Sequence, residues 1–277
     1  MSEETPVSAS AEKPQLPLRP EAEVLAEARR RSRRSFIGLG LAGLTALGAW
    51  NWLISQPADQ GIPRPLRKVL DANSGLTSAY FKETRLAPEF ARSRAKTPRI
   101  NGRAGLEDTL DAAAWRLQVQ AYGTDKVQEF TLADVKALPK VEITTELKCI
   151  EGWSVVVHWT GARLADFLAK YPLATRSGQP ADPLNPPADL APYVGMVTPN
   201  GKYYVGLDMA SALHPQTLLC YEMNGYPLTP DHGAPLRLVT PLKYGIKHLK
   251  RIGTIAFADA RPKDYWAELG YDWDSGH

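Results

Sequence analysis

The sequence predicts a single mixed α+β domain, rich in strands, behind an N-terminal helix that is either a signal or a membrane span. Three observations carry this. From Trp115 onward, short stretches of two-residue alternation are divided by Pro- and Gly-containing turns, with brief helical segments between them. Strands and helices alternate irregularly, with no GxGxxG loop and no sequence repeat, which removes doubly wound and solenoid architectures. Upstream, Phe36–Ile54 is an uncharged run of 19 residues, close to the roughly 20 that cross a bilayer. Composition agrees: 44% hydrophobic and 23% charged residues are ordinary for a folded chain, and 23 prolines favour ordered irregular connections over helical bundles.

Residues 1–28, rich in Pro, Glu, Ala and Ser, read as a disordered lead, and 29–56 as signal or anchor. The cluster Arg29-Arg30-Arg31-Ser32-Arg33-Arg34-Ser35-Phe36-Ile37 contains a Ser-Arg-Arg-x-Phe-Ile core that resembles a twin-arginine export signal. A plain basic-flanked anchor is the simpler reading. The apolar run exceeds the ~7–15 residues of a cleaved signal and ends in Trp50 and Trp52 without a small-x-small cleavage site. An uncleaved anchor through residues 36–54 is therefore expected, with the N-terminus cytoplasmic and the folded part on the periplasmic side. Five of the 33 lysines and arginines lie in this cluster. The net charge of +3 gives no case for nucleic acid.

Residues 57–94 read as an extended linker and N-terminal arm, without long periodicity, and 95–277 as the folded domain. Asn101-Gly102 predicts a tight turn with exposed amides. Trp115–Ala121 alternates as a strand, and Thr131–Leu138 reads as a capped helix before Pro139. Gly161–Leu168 has helical spacing, followed by a Pro/Asp-rich surface loop over 172–192. Tyr193–Thr198 and Tyr203–Val205 flank Asn200-Gly201, a strong hairpin signal. Leu218–Met223, Leu236–Thr240 and Ile252–Phe257 complete the strands.

The centre of interest is the strand Val141–Cys149. Val141, Ile143, Thr145, Leu147 and Cys149 share one face, and the strand delivers a thiol into the turn Ile150-Glu151-Gly152-Trp153. That pattern can present sulfur to a cofactor, or simply end a buried strand. With only Cys149 and Cys220 there is no disulfide framework. No CxxC, CxxCH or HExxH occurs to hold zinc, Fe–S or covalent haem.

Three motifs in order carry a family resemblance: Lys148-Cys149-Ile150-Glu151-Gly152-Trp153-Ser154, then Met223-Asn224-Gly225-Tyr226-Pro227-Leu228 with Asp231-His232-Gly233-Ala234-Pro235-Leu236-Arg237, then Pro241-Leu242-Lys243-Tyr244-Gly245-Ile246-Lys247-His248-Leu249-Lys250. Together they resemble molybdopterin oxidoreductases of the sulfite oxidase fold, and within them the catalytic subunits of bacterial periplasmic methionine-sulfoxide reductases. The resemblance implies a molybdenum–molybdopterin cofactor with Cys149 as the protein thiolate on the metal, a fitting role for a soft donor. It implies cofactor contacts from Asn101, Thr198, His232, Arg237, His248, Leu249 and Lys250, with backbone amides around 248–250 facing a phosphate. Cys220 reads as an inert core thiol.

Sulfite oxidases follow their cysteine with an Asn-Arg pair, whereas this chain has Glu151-Gly152-Trp153. An acid there would repel sulfite and could supply a proton, or it could only cap the turn. Trp153 is a pocket wall or, as the better expectation, core. The resemblance implies oxygen-atom transfer at a small or protein-bound sulfur substrate, chiefly sulfoxide reduction, with electrons from a membrane partner of haem-b type. Sulfite oxidation is the second reading, and a non-catalytic, membrane-anchored pterin-binding module the third.

Overall fold

The computed structural model describes residues 20–80 and 85–277 and divides into two units, residues 1–55 and 56–277. The first unit contributes helix α1, Glu21–Ile54, none of whose residues is buried. At 1.5 Å per residue its 34 residues extend about 51 Å, and it is long and apolar enough to cross a membrane. Glu21 and Glu23 in its first turn suit the positive end of the helix dipole. The helix begins before the basic cluster, so residues 21–28 of the expected disordered lead are helical. Residues 1–19 lie outside the described part.

The second unit opens with a hairpin, β1 (Ala58–Asp59) and β2 (Ile62–Pro63), turned by Gln60 and Gly61 at positive φ. A Cβ on Gly61 would stand 1.9 Å from the Glu268 carbonyl oxygen, so only glycine lets the hairpin dock there. Helix α2, Arg64–Tyr80, follows, where the sequence shows no apolar period facing a core. Its inward residues are polar instead. The buried Arg67 guanidinium donates to the carbonyls of Asp59, Gln60, Ala267 and Tyr271, and Ser74 Oγ donates to Asp272 at 2.8 Å.

Two five-stranded sheets form the body of this unit. Before them, Glu89 bridges to Thr145 and Phe90 N–H donates to the Thr144 carbonyl. One sheet runs β4 (Val127–Phe130), β3 (Leu117–Gln120), β12 (Thr254–Ala258), β7 (Tyr193–Val197), β8 (Tyr204–Asp208). All its pairs are antiparallel except β3–β12. The expected hairpin at Asn200-Gly201 is the β7–β8 turn, with Gly201 at φ 72°. The other sheet runs β10 (Tyr226–Pro227), β9 (Leu218–Met223), β6 (Ser154–Arg163), β5 (Lys140–Lys148), and β11 (Arg237–Val239) also pairs with β9.

Short helices fill the connections: α3 (Leu132–Lys136), α4 (Leu164–Lys170), α5 (Met209–Leu213) and α6 (Tyr265–Glu268). α3 starts with a capping box between Thr131 and Asp134, as its sequence predicts. The helical spacing expected from Gly161 begins only at Leu164. Residues 161–163 continue β6 past a register shift, where a Gly161 Cβ would meet the Leu219 carbonyl oxygen at 2.4 Å. The larger core takes Leu117, Val119, Met196, Leu207 and Ile255 from one sheet, Ala162, Leu219 and Leu238 from the other, and Leu164, Phe167 and Leu168 from α4. A smaller core gathers Ile143, Leu147, Val157, Trp159, Cys220 and Val239. The predicted mixed, strand-rich α+β class is what the chain adopts.

Candidate molybdopterin site

β5 places the thiol. Its predicted inward face is buried at Ile143, Thr145, Leu147 and Cys149, and the antiparallel ladder with β6 closes at Lys148–Ser154. Between those two residues the chain turns tightly: Cys149 N–H donates to the Trp153 carbonyl at 2.9 Å and Gly152 N–H to the Cys149 carbonyl at 3.1 Å. Gly152 stands at φ 84°, which a residue with a side chain adopts only under strain. The thiol lines a cavity of about 390 Å³. Asn101 Nδ2 lies 3.5 Å from Sγ, so the Asn-Gly turn predicted upstream meets the predicted ligand in space.

Around that turn the wall is aromatic. Trp153 Nε1 donates to Glu151 Oε2 at 3.0 Å, and the Arg99 guanidinium stands 5.7 Å from the Trp153 ring centre. Trp153 lines the cavity, which corrects the expectation of a core residue. Glu151 is exposed, also lines the cavity, and holds its neighbour's indole, so it does cap the turn.

Another part of the lining is cationic. β11 carries Arg237 inward, 3% exposed, with its guanidinium 4.9 Å from the Trp159 ring centre. Two of its nitrogens donate to the carbonyls of His232 (3.1 Å) and His248 (3.4 Å), and Nε has no partner. Burial pushes its pKa down to about 10. Among the described residues no carboxylate pairs with it, and an uncompensated buried cation is costly unless an anion arrives.

Lys250 Nζ donates to the carbonyls of Asn101 (2.9 Å) and Gly102 (3.3 Å). Burial, then the Arg237 charge, lower its pKa to about 8. Arg103 adds a third cation at the mouth, paired at 3.0 Å with the exposed Asp231. His232 is buried, and burial followed by the charges of Arg237 and Lys250 holds its pKa below the usual value. His248 is pushed down to about 3 by burial and Arg237, so it is neutral. Its Nε2 donates to the Thr240 carbonyl at 3.0 Å, which leaves Nδ1 an acceptor without a partner.

Thus Cys149, Glu151, Asn101, His232, Arg237, His248 and Lys250 meet around one cavity. Thr198 and Leu249 do not line it. Thr198 Oγ1 bonds within its own turn, to Asn200 Oδ1 at 2.9 Å, and the Leu249 side chain is in the larger core. The expected amides around 248–250 are partly taken: His248 N–H donates to Gly245 and Leu249 N–H to Lys247. Cys220 is fully buried, with its thiol pushed up to about 12 by burial.

Sequence reading missed Arg99, Arg103, Tyr203, Tyr265 and Trp266, which also line the cavity. Tyr203 donates to the Ile246 carbonyl at 2.6 Å and accepts from Trp266 Nε1 at 2.9 Å. Beneath them the buried Lys247 Nζ donates to Asp264 Oδ2 at 2.6 Å and to the Gly206 carbonyl at 2.9 Å. Asp264 also accepts from the amides of Gly206, Trp266 and Ala267. One ion pair therefore fixes the 245–248 turn, β8 and the start of α6 around the cavity. The only sequence hint was Asp264 as an N-cap two residues before a tryptophan.

The residues fit an anionic pterin cofactor on a soft metal. A thiol stands in the same cavity as three cations, one of them fully desolvated with an unfilled N–H. Lys250 gives a test. Its amine is protonated below about pH 8 and neutral above, and an anion binds only the charged form. The cofactor-free protein should therefore lose affinity for pyrophosphate as pH rises through 8, by up to about tenfold per pH unit. Binding at pH 8 should take up protons, read as a buffer-dependent heat in calorimetry. Lys250→Met should flatten this dependence.

A family model described as "Oxidoreductase molybdopterin binding domain" matches residues 104–266. The chain is 32% identical over 251 residues to the subunit YedZ1 of Azospira oryzae, covering 88% of each. It is 30% identical over 262 residues to the protein-methionine-sulfoxide reductase catalytic subunit MsrP of Xanthomonas axonopodis pv. citri, covering 90% of this chain and 77% of that one. Among solved structures, the sulfane dehydrogenase SoxCD from Paracoccus pantotrophus aligns with a TM-score of 0.45 and 17% identity, over 56% of this chain and 40% of that one.

Proposed function

The chain belongs to the molybdopterin-binding oxidoreductases, and from that premise we propose that it reduces sulfoxides, with methionine sulfoxide, free or in proteins, as the substrate class. The observation that carries the reading is one cavity lined by the Cys149 thiol, by Arg237 with no carboxylate partner among the described residues, by Lys250, whose pKa burial lowers, and by the Glu151 carboxylate. When bound, the cofactor supplies two-electron oxygen-atom transfer. Overall, a sulfoxide, two electrons and two protons give a sulfide and water.

The chain's own residues serve that chemistry in separable ways. Cys149 offers a thiolate to the metal, and Asn101 holds the thiol's position through its amide. Arg237, with its planar donors, and Lys250, as a point charge, would neutralise the phosphate of the pterin. Neutral His232 and His248 provide hydrogen-bonding groups without adding charge. Trp153, Tyr265 and Trp266 exclude water from the cavity wall, which strengthens every charge inside. Glu151, as a carboxylate lining the cavity, would disfavour sulfite by like charge, and after taking up a proton from solvent it would be able to pass that proton on to substrate.

The same proposal covers the surroundings. The Ser-Arg-Arg-x-Phe-Ile core directs twin-arginine export, α1 remains as an uncleaved anchor through residues 36–54, and the folded unit works on the periplasmic side. Electrons come from a membrane subunit, of haem-b type by family likeness.

A direct assay separates the readings. The protein, loaded with cofactor and given a reduced viologen dye, should oxidise the dye when methionine sulfoxide is added. With sulfite and an electron acceptor it should give no turnover. Turnover with sulfite alone would replace this reading with the sulfite-oxidising one. Pterin binding without turnover in either direction would mark a non-catalytic module.

A further inference from the structure

We propose that the outward face of α2 rests on a lipid bilayer surface. This helix is turned inside out. Among its described side chains, the ones it buries against its own unit are Arg67 and Ser74, 3% and 4% exposed, while Leu66, Val69 and Leu76 stand 43%, 59% and 69% exposed. Their spacing of three and seven residues puts the three apolar side chains on one helical face, which also carries the exposed Asn73, with Ala72 at its edge. A helix lying against water carries the opposite arrangement. Arg64 and Lys68, both exposed, lie to one side of the stripe and supply positive charge suited to anionic lipid headgroups.

Chain continuity chooses lipid as the occupant. The β1–β2 hairpin folds back so that Arg64 N–H donates to the Pro57 carbonyl at 3.0 Å, which ties the first residue of α2 to Pro57. Pro57 is three residues beyond Ile54, the last residue of α1, and three residues span at most about 10 Å. A helix that begins so near the end of a bilayer-crossing segment, apolar outside and basic at its edge, has the pattern of an interfacial helix. This inference rests on reading α1 as an uncleaved span. It adds a second, peripheral membrane contact from the folded unit itself.

The test uses the full-length, cofactor-loaded chain in vesicles of phosphatidylcholine and phosphatidylglycerol. A nitroxide is attached at Val69→Cys or Leu76→Cys, with Val127→Cys on β4 as a water-exposed reference and Leu44→Cys within α1 as a depth reference. Labelling of the parent protein gives the background from its own two cysteines. Collision with oxygen is compared with collision with a water-soluble nickel chelate. The oxygen-to-nickel ratio at 69 and 76 should be several-fold above that at 127, with dye-driven activity unchanged. Equal ratios at 69, 76 and 127, with Leu44 deep, would overturn the proposal while leaving the anchor intact. A water-like ratio at Leu44 would remove the anchor and the proposal together. Protection at 69 and 76 from both reagents, only when a membrane electron donor is present, would assign the face to protein and overturn the lipid assignment.

Discussion

Replacing Cys149 by serine is expected to lower turnover by at least about a thousandfold, a loss of about 4 kcal/mol in transition-state stabilisation, in a protein that still folds. Serine differs from cysteine by one atom, and the backbone bonds that shape the turn, Cys149 N–H to Trp153 and Gly152 N–H to Cys149, need no sulfur. The hydroxyl is a poor substitute for a soft thiolate on molybdenum. Pterin retention should be far less affected, because on the proposed reading Arg237 and Lys250, and not the thiol, would hold the cofactor's phosphate. Activity, pterin content and thermal stability measured on one preparation separate loss of chemistry from loss of fold. Full activity in Cys149→Ser would sink the assignment of the ligand.

Asp264→Asn is expected to have the largest effect on stability. Lys247 and Asp264 are 1% and 2% exposed and 2.6 Å apart, and burial presses on the lysine to give up its proton. Such a pair adds little over a well-packed apolar alternative, but removing one charge strands the other, at a cost of about 3–5 kcal/mol. Asparagine keeps the oxygen that accepts from Trp266 and Ala267, so the loss falls on the charge and on the oxygen that accepts from Lys247 and the Gly206 amide. For a unit of this size that is a drop in melting temperature of roughly 10 °C. The Tyr265–Trp266 wall would loosen with it, raising KM for substrate before kcat falls. If the single variant does not fold, Lys247→Met with Asp264→Asn should recover part of the loss. A shift in Asp264→Asn below about 1 kcal/mol would mean that the pair does not hold the wall.

The part of the site that depends on local pattern could be read from the chain. Two-residue alternation from Val141 to Cys149, followed by Gly152, was enough to forecast a buried strand ending in a presented thiol. Asn200-Gly201 similarly forecast its hairpin. Helix α2 was missed because its period carries the opposite chemistry: Arg67 and Ser74 face inward, so a search for an apolar core face finds nothing. The start of α4 was misjudged because Gly161, needed where β6 and β9 backbones come close, reads as the opening of a helix. Tyr203, Tyr265 and Trp266 reach the cavity only because a buried ion pair joins three segments distant in sequence, and no spacing rule encodes that. Thr198 and Leu249 were expected from the resemblance, yet one closes a turn and the other packs into the core.

On the proposed reading Cys149 would bring a protein sulfur to a molybdenum centre whose pterin phosphate Arg237 and Lys250 would hold. X-ray absorption at the molybdenum edge, on purified protein with metal and pterin quantified, tests it most directly. One molybdenum and one pterin per chain are expected, with one sulfur fewer around the metal in Cys149→Ser than in the parent. A folded protein whose molybdenum has the same sulfur count in both, or that takes up no molybdenum when expressed with the cofactor, would contradict it.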